Sequence, residues 1–141
     1  MADEAIGRSA GGLSTKIHLS TDRKGIILQM VLTGGQTADV KLSLDLIQTA
    51  KPDQVIADKA YDADWLLHYL DSEAIEAVIP PKRSRLHKRT IDQNAYKQRN
   101  VIERTISKLK QYRKIATRYE KTKTSFLSLC CLAAVFINLS L

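Results

Sequence analysis

The sequence predicts a mixed α/β fold in a single domain. Its 141 residues are enough for one buried core, and segments typical of strands alternate with segments typical of helices. In addition, an aspartate follows directly after an apolar strand. The predicted order is β-β-α-β-α-β-α-α, which requires both hairpin and crossover connections.

The first half of the chain contains a predicted hairpin and a predicted strand that ends in an acid. Residues 14–33 indicate the hairpin, because alternating and apolar stretches flank a glycine-containing turn. Residues 54–58 form a short apolar strand that places Asp58 at its carboxyl end, where α/β sheets usually bind ligands. We expect Asp62 to cap the next helix, with Trp65 on the apolar face of that helix.

The second half is predicted to be mostly helical. A strand at residues 77–79 stops at two prolines and leads into a basic loop at residues 82–90. The hydrophobic spacing then predicts one long helix over residues 92–114. An apolar helix over residues 124–141 completes the chain.

The net charge of +7 is unevenly distributed along the chain. Residues 1–81 hold 7 Lys and Arg against 12 Asp and Glu, whereas residues 82–123 hold 15 against 3. Residues 124–141 carry no charged side chain. A basic block of this density is typical of proteins that bind a polyanion such as DNA; a solvated basic surface is the alternative.

Several other classes of protein are not favoured by the sequence. The chain start lacks the apolar stretch of a signal peptide, and the apolar tail is shorter than the roughly 20 residues of a membrane span. Cys130 and Cys131 are adjacent and lack metal-site spacing, so we expect thiols in a reducing cytoplasm. The segment Gly7–Ser14 resembles a phosphate loop but has Leu13 where the lysine is required.

Four residues of the basic segment AYKQRNVIERTISKLKQYRK stand at the spacing Y-x2-R-x3-E-x6-K. On one continuous helix, Tyr96, Arg99, Glu103 and Lys110 would lie within a stripe about 60° wide. An acid surrounded by two cations and a tyrosine suits a carboxylate that binds a metal ion while its neighbours bind phosphates. The alternative is an ordinary salt bridge between Glu103 and a cation of its own helix.

Asp58 and Glu103 form the candidate metal site. Two carboxylates without a nearby His or Cys are hard oxygen ligands, which suit Mg²⁺ or Mn²⁺. Two such ions can activate a water or a 3′-hydroxyl and stabilise the leaving oxygen in phosphodiester chemistry. The alternative for Asp58 is a helix cap or a turn acid.

At the level of motifs, the chain resembles the C-terminal catalytic part of bacterial insertion-sequence DDE transposases, in the branch with the Y-x2-R-x3-E-x6-K signature. The resemblance covers nearly the whole chain, and the blocks occur in the family's order. These blocks are GRSAGGLSTKIH, VLTGGQTADV, VIADKAYDAD, VIPPKRSR, YKQRNVIERTISKLKQYRKIATRYEK and the apolar tail.

The resemblance implies a ribonuclease-H-like mixed sheet flanked by helices. It implies that Asp58 and Glu103 are the second and third acids of a metal-binding triad, and that the reaction is cleavage at transposon ends followed by strand transfer. It also implies DNA ends and target DNA as partners, a homo-oligomer at full length, and a bacterial cytoplasmic enzyme associated with the nucleoid. Residues expected to contact or position DNA are Tyr96, Arg99 and Lys110 from the signature, together with Arg104, Lys82, Arg83 and Arg85 from the basic block.

One departure from the family pattern concerns the first acid of the triad. In the family this Asp lies on a central strand before the GRS-x-GG segment, and here only residues 1–6 precede that segment. We therefore expect a partial catalytic domain that lacks the central strand and is inactive alone. Three explanations for the missing first acid remain open. The chain is the downstream reading frame of a longer transposase, a decayed copy, or a sequence with a shortened or misassigned start. A non-catalytic DNA-binding fragment that inhibits full-length transposase and a related structure-specific nuclease are the alternative functions.

Overall fold

The computed structural model describes residues 3–141, apart from the side chain of Ser9. It consists of two compact units. Residues 3–37 and 101–141 form the first, called here the hairpin unit, and residues 38–100 form the second, called the Asp58 unit. No helix in the described residues is both long enough and apolar enough to cross a bilayer.

The sheet of the hairpin unit has three antiparallel strands in the order β1-β2-β3. These strands are β1 (Gly7–Ser9), β2 (Gly12–Thr21) and β3 (Ile27–Gly34). The turn between β2 and β3 is closed by Asp22, whose Oδ1 accepts the N–H groups of Lys24 and Ile26 at 2.9 Å. Gly25 in this turn has φ +93°, a conformation that favours glycine. The hairpin thus lies where the sequence pattern predicts it, whereas β1 was not predicted.

The core of the hairpin unit packs helices against this sheet. The helices are α4 (Asn100–Lys110), α5 (Arg113–Ala116) and α6 (Lys123–Leu139). The buried side chains come from β2, β3 and all three helices. They include Leu19, Leu32, Leu109, Ile115, Phe126, Cys130 and Ile137. At the start of α6, Thr122 Oγ1 accepts the N–H of Ser125 at 3.2 Å, which satisfies one of the donors that every helix start leaves unpaired.

The long helix predicted over residues 92–114 is divided into three. Helix α3 covers Gln93–Lys97, and α4 begins only at Asn100. Between them, the N–H groups of Gln98 and Arg99 bond to carbonyls three residues earlier, at 3.0 Å each. Such tight turns end a helix and change the direction of the chain. The predicted single stripe of four signature residues is therefore interrupted.

The Asp58 unit contains a parallel pair of strands, and a short 3-10 turn and one α-helix connect them along the chain. Strand β4 (Gln54–Ile56) pairs with β5 (Glu76–Val78), and the register runs from Gln54 opposite Glu76 to Ile56 opposite Val78. The helices of this unit are α1 (Ser43–Gln48), α2 (Asp64–Ser72) and α3. Its buried apolar cluster is small and consists of Ile47, Leu66, Leu70 and Ile79, with partly buried neighbours.

Two predictions about α2 were wrong. Its N-cap residue is Ala63, which makes no side-chain cap, and Asp62 serves another purpose described below. Trp65 is 46% exposed, because Leu66 and Leu70 occupy the buried face of the helix and Trp65 lies about 100° away from Leu66.

The fold class is the mixed α/β type that the sequence predicts, with small sheets and flanking helices. The described strands form one sheet of three strands and one of two. A single ribonuclease-H-like sheet with a missing central strand remains a prediction.

Candidate functional site

Asp58 lies directly after the last hydrogen bond of the parallel strand pair. The N–H of Ala57 donates to Val78 O at 3.3 Å and extends the ladder by one residue beyond Ile56. Asp58 follows in extended conformation and is half-buried. The acid thus stands at the carboxyl edge of the strand pair, where α/β proteins usually bind ligands.

The Asp58 side chain also caps a short turn. Its Oδ1 accepts the N–H of Ala60 at 2.8 Å at the start of a 3-10 turn over Lys59–Tyr61. This confirms the capping interpretation considered from the sequence. Capping uses only one carboxylate oxygen, and Oδ2 has no hydrogen-bond partner within the described part of the chain. The cap fixes the carboxylate and leaves a lone-pair face for a ligand.

Tyr61 is a half-buried neighbour of this acid. Burial, followed by the negative charges of Asp39 and Asp58, raises the pKa of Tyr61 to about 12. The phenol is therefore protonated at neutral pH and does not add a negative charge beside Asp58.

An ion-pair network is centred on the buried Asp62, four residues after Asp58. Asp62 Oδ2 accepts the N–H of Lys82 at 2.7 Å and Arg85 Nε at 2.6 Å, and Oδ1 accepts Arg89 Nη2 at 3.0 Å. Arg85 Nη1 also binds Asp64 Oδ1 at 2.6 Å. All three donors to Asp62 belong to the basic loop, residues 82–90.

The electrostatics of Asp62 follow from these contacts. Burial alone would raise the pKa of Asp62, but the hydrogen bonds from Arg85, the Lys82 N–H and Arg89 outweigh burial and lower the pKa to about 2. The same interaction raises the pKa of Arg85. Asp62 is therefore ionised throughout the physiological range.

Sequence reasoning missed this role of Asp62. An aspartate shortly before a helix is typical of a cap, and the arginines that bind it come more than 20 residues later. The signal that could have found it is the accumulation of acids in YDAD, followed by arginines in a loop after a buried strand. Such a pattern is compatible with an ion pair but does not indicate which acid binds which arginine.

The first two signature residues contact each other. Helix α3 is capped by Asp92, whose Oδ1 accepts the N–H groups of Asn94 and Ala95. Tyr96 lies on α3, and the guanidinium of Arg99 is 5.7 Å from the centre of its ring. This is a cation–π distance, so the tyrosine orients the arginine.

The other signature residues lie on α4. Glu103 in the first turn and Lys110 in the last turn are both exposed and seven residues apart, which places them on nearly the same face of the helix. Arg104 is exposed beside Glu103. An acid at the start and lysines at the end of a helix both suit the helix dipole.

The predicted site residues are therefore distributed over both units. Asp58, Tyr96 and Arg99 belong to the Asp58 unit with the basic loop, whereas Glu103, Arg104 and Lys110 belong to the hairpin unit. Within the basic loop, Lys82 is half-buried, Arg83 is exposed, and Arg85 is half-buried against Asp62.

The two candidate acids fit a divalent cation in donor chemistry, because carboxylate oxygens are the ligands that Mg²⁺ and Mn²⁺ prefer. Asp58 Oδ2 is held in place by the cap on the other oxygen, as a metal ligand requires. Across residues 3–141, no group of three or more His, Cys, Asp or Glu is gathered as a ready metal site. The meeting of Asp58 with Glu103 remains a prediction.

Comparison with known proteins gives a consistent result. The family described as "Transposase DDE domain" matches residues 55–140, which include Asp58 and the complete signature. The chain is 38% identical over 129 residues to the "Putative transposase for insertion sequence element IS6501" of Brucella ovis, covering 89% of this chain and 98% of that protein.

A second relative is longer than this chain. The "Putative transposase for insertion sequence element IS402" of Burkholderia cepacia is 32% identical over 134 residues, covering 84% of this chain and 61% of that protein. No solved structure is significantly similar to the chain. The matched family and both relatives agree with the motif blocks, and the chain belongs to the insertion-sequence transposases with a DDE domain.

Proposed function

We propose that this chain contributes Asp58 and Glu103 to divalent-metal-dependent cleavage at transposon ends and to the strand transfer that follows. The observation that carries the proposal is the position of Asp58 at the carboxyl edge of the β4–β5 pair. The basic loop is anchored at the same edge, because Arg89 Nη2 binds Ile79 O at 2.9 Å directly after β5. A candidate metal ligand and a set of phosphate-binding cations thus occupy one end of one unit.

Each acid has a distinct part in this proposal. Asp58 presents Oδ2 while its Oδ1 is fixed by the Ala60 N–H, so that the carboxylate needs no reorientation to bind a cation. Glu103 presents its carboxylate from the exposed side of α4. The two would hold Mg²⁺ or Mn²⁺, which, when bound, activates the attacking hydroxyl and stabilises the leaving oxygen.

The cations provide the grip on DNA. Arg99, oriented by the ring of Tyr96, and Arg104 and Lys110 on α4 bind phosphate oxygens, as do Lys82 and Arg83 from the basic loop. Phosphate contacts position the duplex without reading its sequence. The net charge of +12 over residues 82–123 suits this sequence-independent binding.

A triad in this family has three acids, and the resemblance implies that Asp58 and Glu103 are two of them. The proposal therefore includes that the isolated 141-residue protein does not cleave DNA, whereas its two acids still contribute to metal binding. The experiment should separate metal binding from cleavage.

The test uses the full chain and Mn²⁺, with binding measured from the electron paramagnetic resonance signal of free Mn²⁺. Asp58→Asn and Glu103→Gln should each weaken Mn²⁺ binding by about tenfold, since each removes a charged ligand. Asp53→Asn, an exposed acid just before β4, is the matched control and should have no effect. Equal Mn²⁺ binding by all variants would contradict the metal role. Mg²⁺-dependent nicking of a transposon-end duplex by the isolated chain, abolished by Asp58→Ala, would contradict the proposal that the chain alone does not cleave DNA.

The second candidate function is a non-catalytic DNA-binding fragment that competes with full-length transposase for DNA ends. The observation in its favour is the cap that Asp58 provides to the turn at Ala60, because this role alone would account for the residue. Both functions require DNA binding, and only the first requires metal binding by the two acids.

DNA binding itself is tested by its dependence on salt. Each phosphate contact that is lost should lower the slope of log affinity against log salt by about 0.9. We expect this decrease for Arg99→Gln, Arg104→Gln and Lys110→Gln, measured by fluorescence anisotropy with a short duplex. Lys41→Gln, an exposed lysine outside the basic block, is the control with the same charge change and should leave the slope unchanged. Unchanged slopes in all three signature variants would remove the proposed phosphate contacts.

A further inference from the structure

Asp62 is a buried, ionised carboxylate without a part in the metal chemistry proposed above. Its side chain is fully inaccessible to solvent, and burying a charge is unfavourable unless the charge is paired and hydrogen-bonded. Three donors satisfy it at 2.6, 2.7 and 3.0 Å. A fully paired carboxylate in this setting holds its partners in one geometry.

The partners are the two ends of the basic loop. The backbone N–H of Lys82, at the start of the loop, and the guanidinium of Arg89, at its end, bind the same carboxylate. Arg89 also binds Ile79 O, and Arg85 between them is fixed by both Asp62 and Asp64. This segment has no regular secondary structure of its own, so these bonds define its path.

The network also divides the cations of the loop into two groups. Arg85 and Arg89 are neutralised by carboxylates inside the protein. The side chains of Lys82, Arg83 and Lys88 form no ion pair among the described residues. Within this second group, Arg83 and Lys88 are exposed and Lys82 is half-buried.

We infer that Asp62 is a positioning residue of the DNA-binding surface: it anchors the basic loop through Arg85 and Arg89, so that Lys82, Arg83 and Lys88 face the phosphates. The DNA part of this inference rests on the proposed function. It differs from the expectation from sequence, in which Arg85 itself contacts DNA.

The first arm of the test measures the loop without DNA. Leu86 is 96% exposed near the middle of the loop and provides a chymotrypsin site that no variant alters. Asp62→Asn should increase cleavage at Leu86 by about tenfold or more, because it removes the charge that binds both arginines. Asp64→Asn makes the same charge change at an exposed acid that binds only Arg85, and should change cleavage by less than about threefold.

The second arm measures the affinity for a short duplex. Asp62→Asn removes a negative charge and releases two arginines, so electrostatics alone predict tighter binding. The inference predicts binding about threefold or more weaker, because the loop loses its fixed geometry before binding. Asp64→Asn, with the same gain in charge, should bind at least as tightly as the unaltered protein. Tighter binding by Asp62→Asn than by Asp64→Asn, or unchanged cleavage at Leu86, would overturn the inference.

A milder pair of variants applies if Asp62→Asn does not fold. Arg85→Gln should increase cleavage at Leu86 and leave the salt slope of DNA binding unchanged. Arg83→Gln, two residues away, should lower the slope by about 0.9 and leave cleavage unchanged. The reverse pattern would identify Arg85 as the phosphate ligand and overturn the inference. Absence of DNA binding by the unaltered chain would refute the proposed function and the phosphate role of the loop, while the cleavage arm would still decide whether Asp62 anchors it.

Discussion

The two units of this chain are stabilised in different ways. The hairpin unit buries a continuous set of apolar side chains from its sheet and helices around Phe126. The apolar cluster of the Asp58 unit has only four buried residues. This unit also contains a network of charged hydrogen bonds to the buried Asp62. The irregular basic loop cannot form a core of its own, and polar bonds of defined geometry hold it instead.

The units also differ in charge. Residues 38–100 hold ten Lys and Arg and ten Asp and Glu, whereas the described residues of the hairpin unit hold twelve against five. In the Asp58 unit, part of the positive charge is thus neutralised by carboxylates of the same unit. The hairpin unit, by contrast, carries a net excess of cations, which increases its attraction for DNA.

The largest expected effect concerns the apolar core of the hairpin unit. Phe126→Ala should lower the free energy of unfolding by about 3–5 kcal/mol, because it leaves a cavity at a side chain that is 2% exposed. Urea denaturation followed by far-UV circular dichroism measures this loss. Phe136→Ala, on the same helix but 57% exposed, is the control and should cost less than about 1 kcal/mol.

Trp65, the one tryptophan of the chain, lies on α2 and reports on the unfolding of the Asp58 unit in the same experiment. If the units are stabilised separately, Phe126→Ala should shift the circular dichroism transition more than the tryptophan fluorescence transition. Equal shifts of both signals would mean that the two units unfold together and that the distinction does not extend to their stability.

Local patterns account for what the sequence predicts correctly. An apolar run followed by an acid was enough to place Asp58 at the end of β4, and the glycine-containing turn was enough to predict the hairpin. The helical spacing of Ile102, Ile106 and Leu109 predicts one core-facing side; Leu109 lies in the core and the two isoleucines pack against it. Each of these predictions depends on residues within a few positions of one another.

The features that the sequence did not predict depend on tertiary contacts. The helical spacing continues across Gln98 and Arg99, although the chain breaks the helix there. Asp62 has the local pattern of a cap, and only the fold brings Arg85 and Arg89 to it. Whether Asp58 meets Glu103 is a question of the same kind, because the two acids are 45 residues apart in the chain and belong to different units.

A smaller difference between the two units is expected in the acid sensitivity of the Asp58 unit. The folded pKa of Asp62 is about 2, below the ordinary value of 3.8, because of Arg85, the Lys82 N–H and Arg89. A lowered carboxyl pKa contributes stability that is complete above pH 3.8 and is lost as the pH falls through 2. We therefore expect the urea midpoint from Trp65 fluorescence to be less sensitive to acid in Asp62→Asn than in the unaltered chain.

At neutral pH, Asp62→Asn should lower the free energy of unfolding by about 1–3 kcal/mol, since the amide cannot satisfy two guanidinium groups. Asp64→Asn is the control, because Asp64 is 77% exposed and binds only Arg85, and surface pairs contribute about 0–1 kcal/mol. An Asp62→Asn protein with the same midpoint at pH 7 and the same acid response as the unaltered chain would show that the network does not stabilise this unit. The two units would then differ in stabilisation only through the size of their apolar cores.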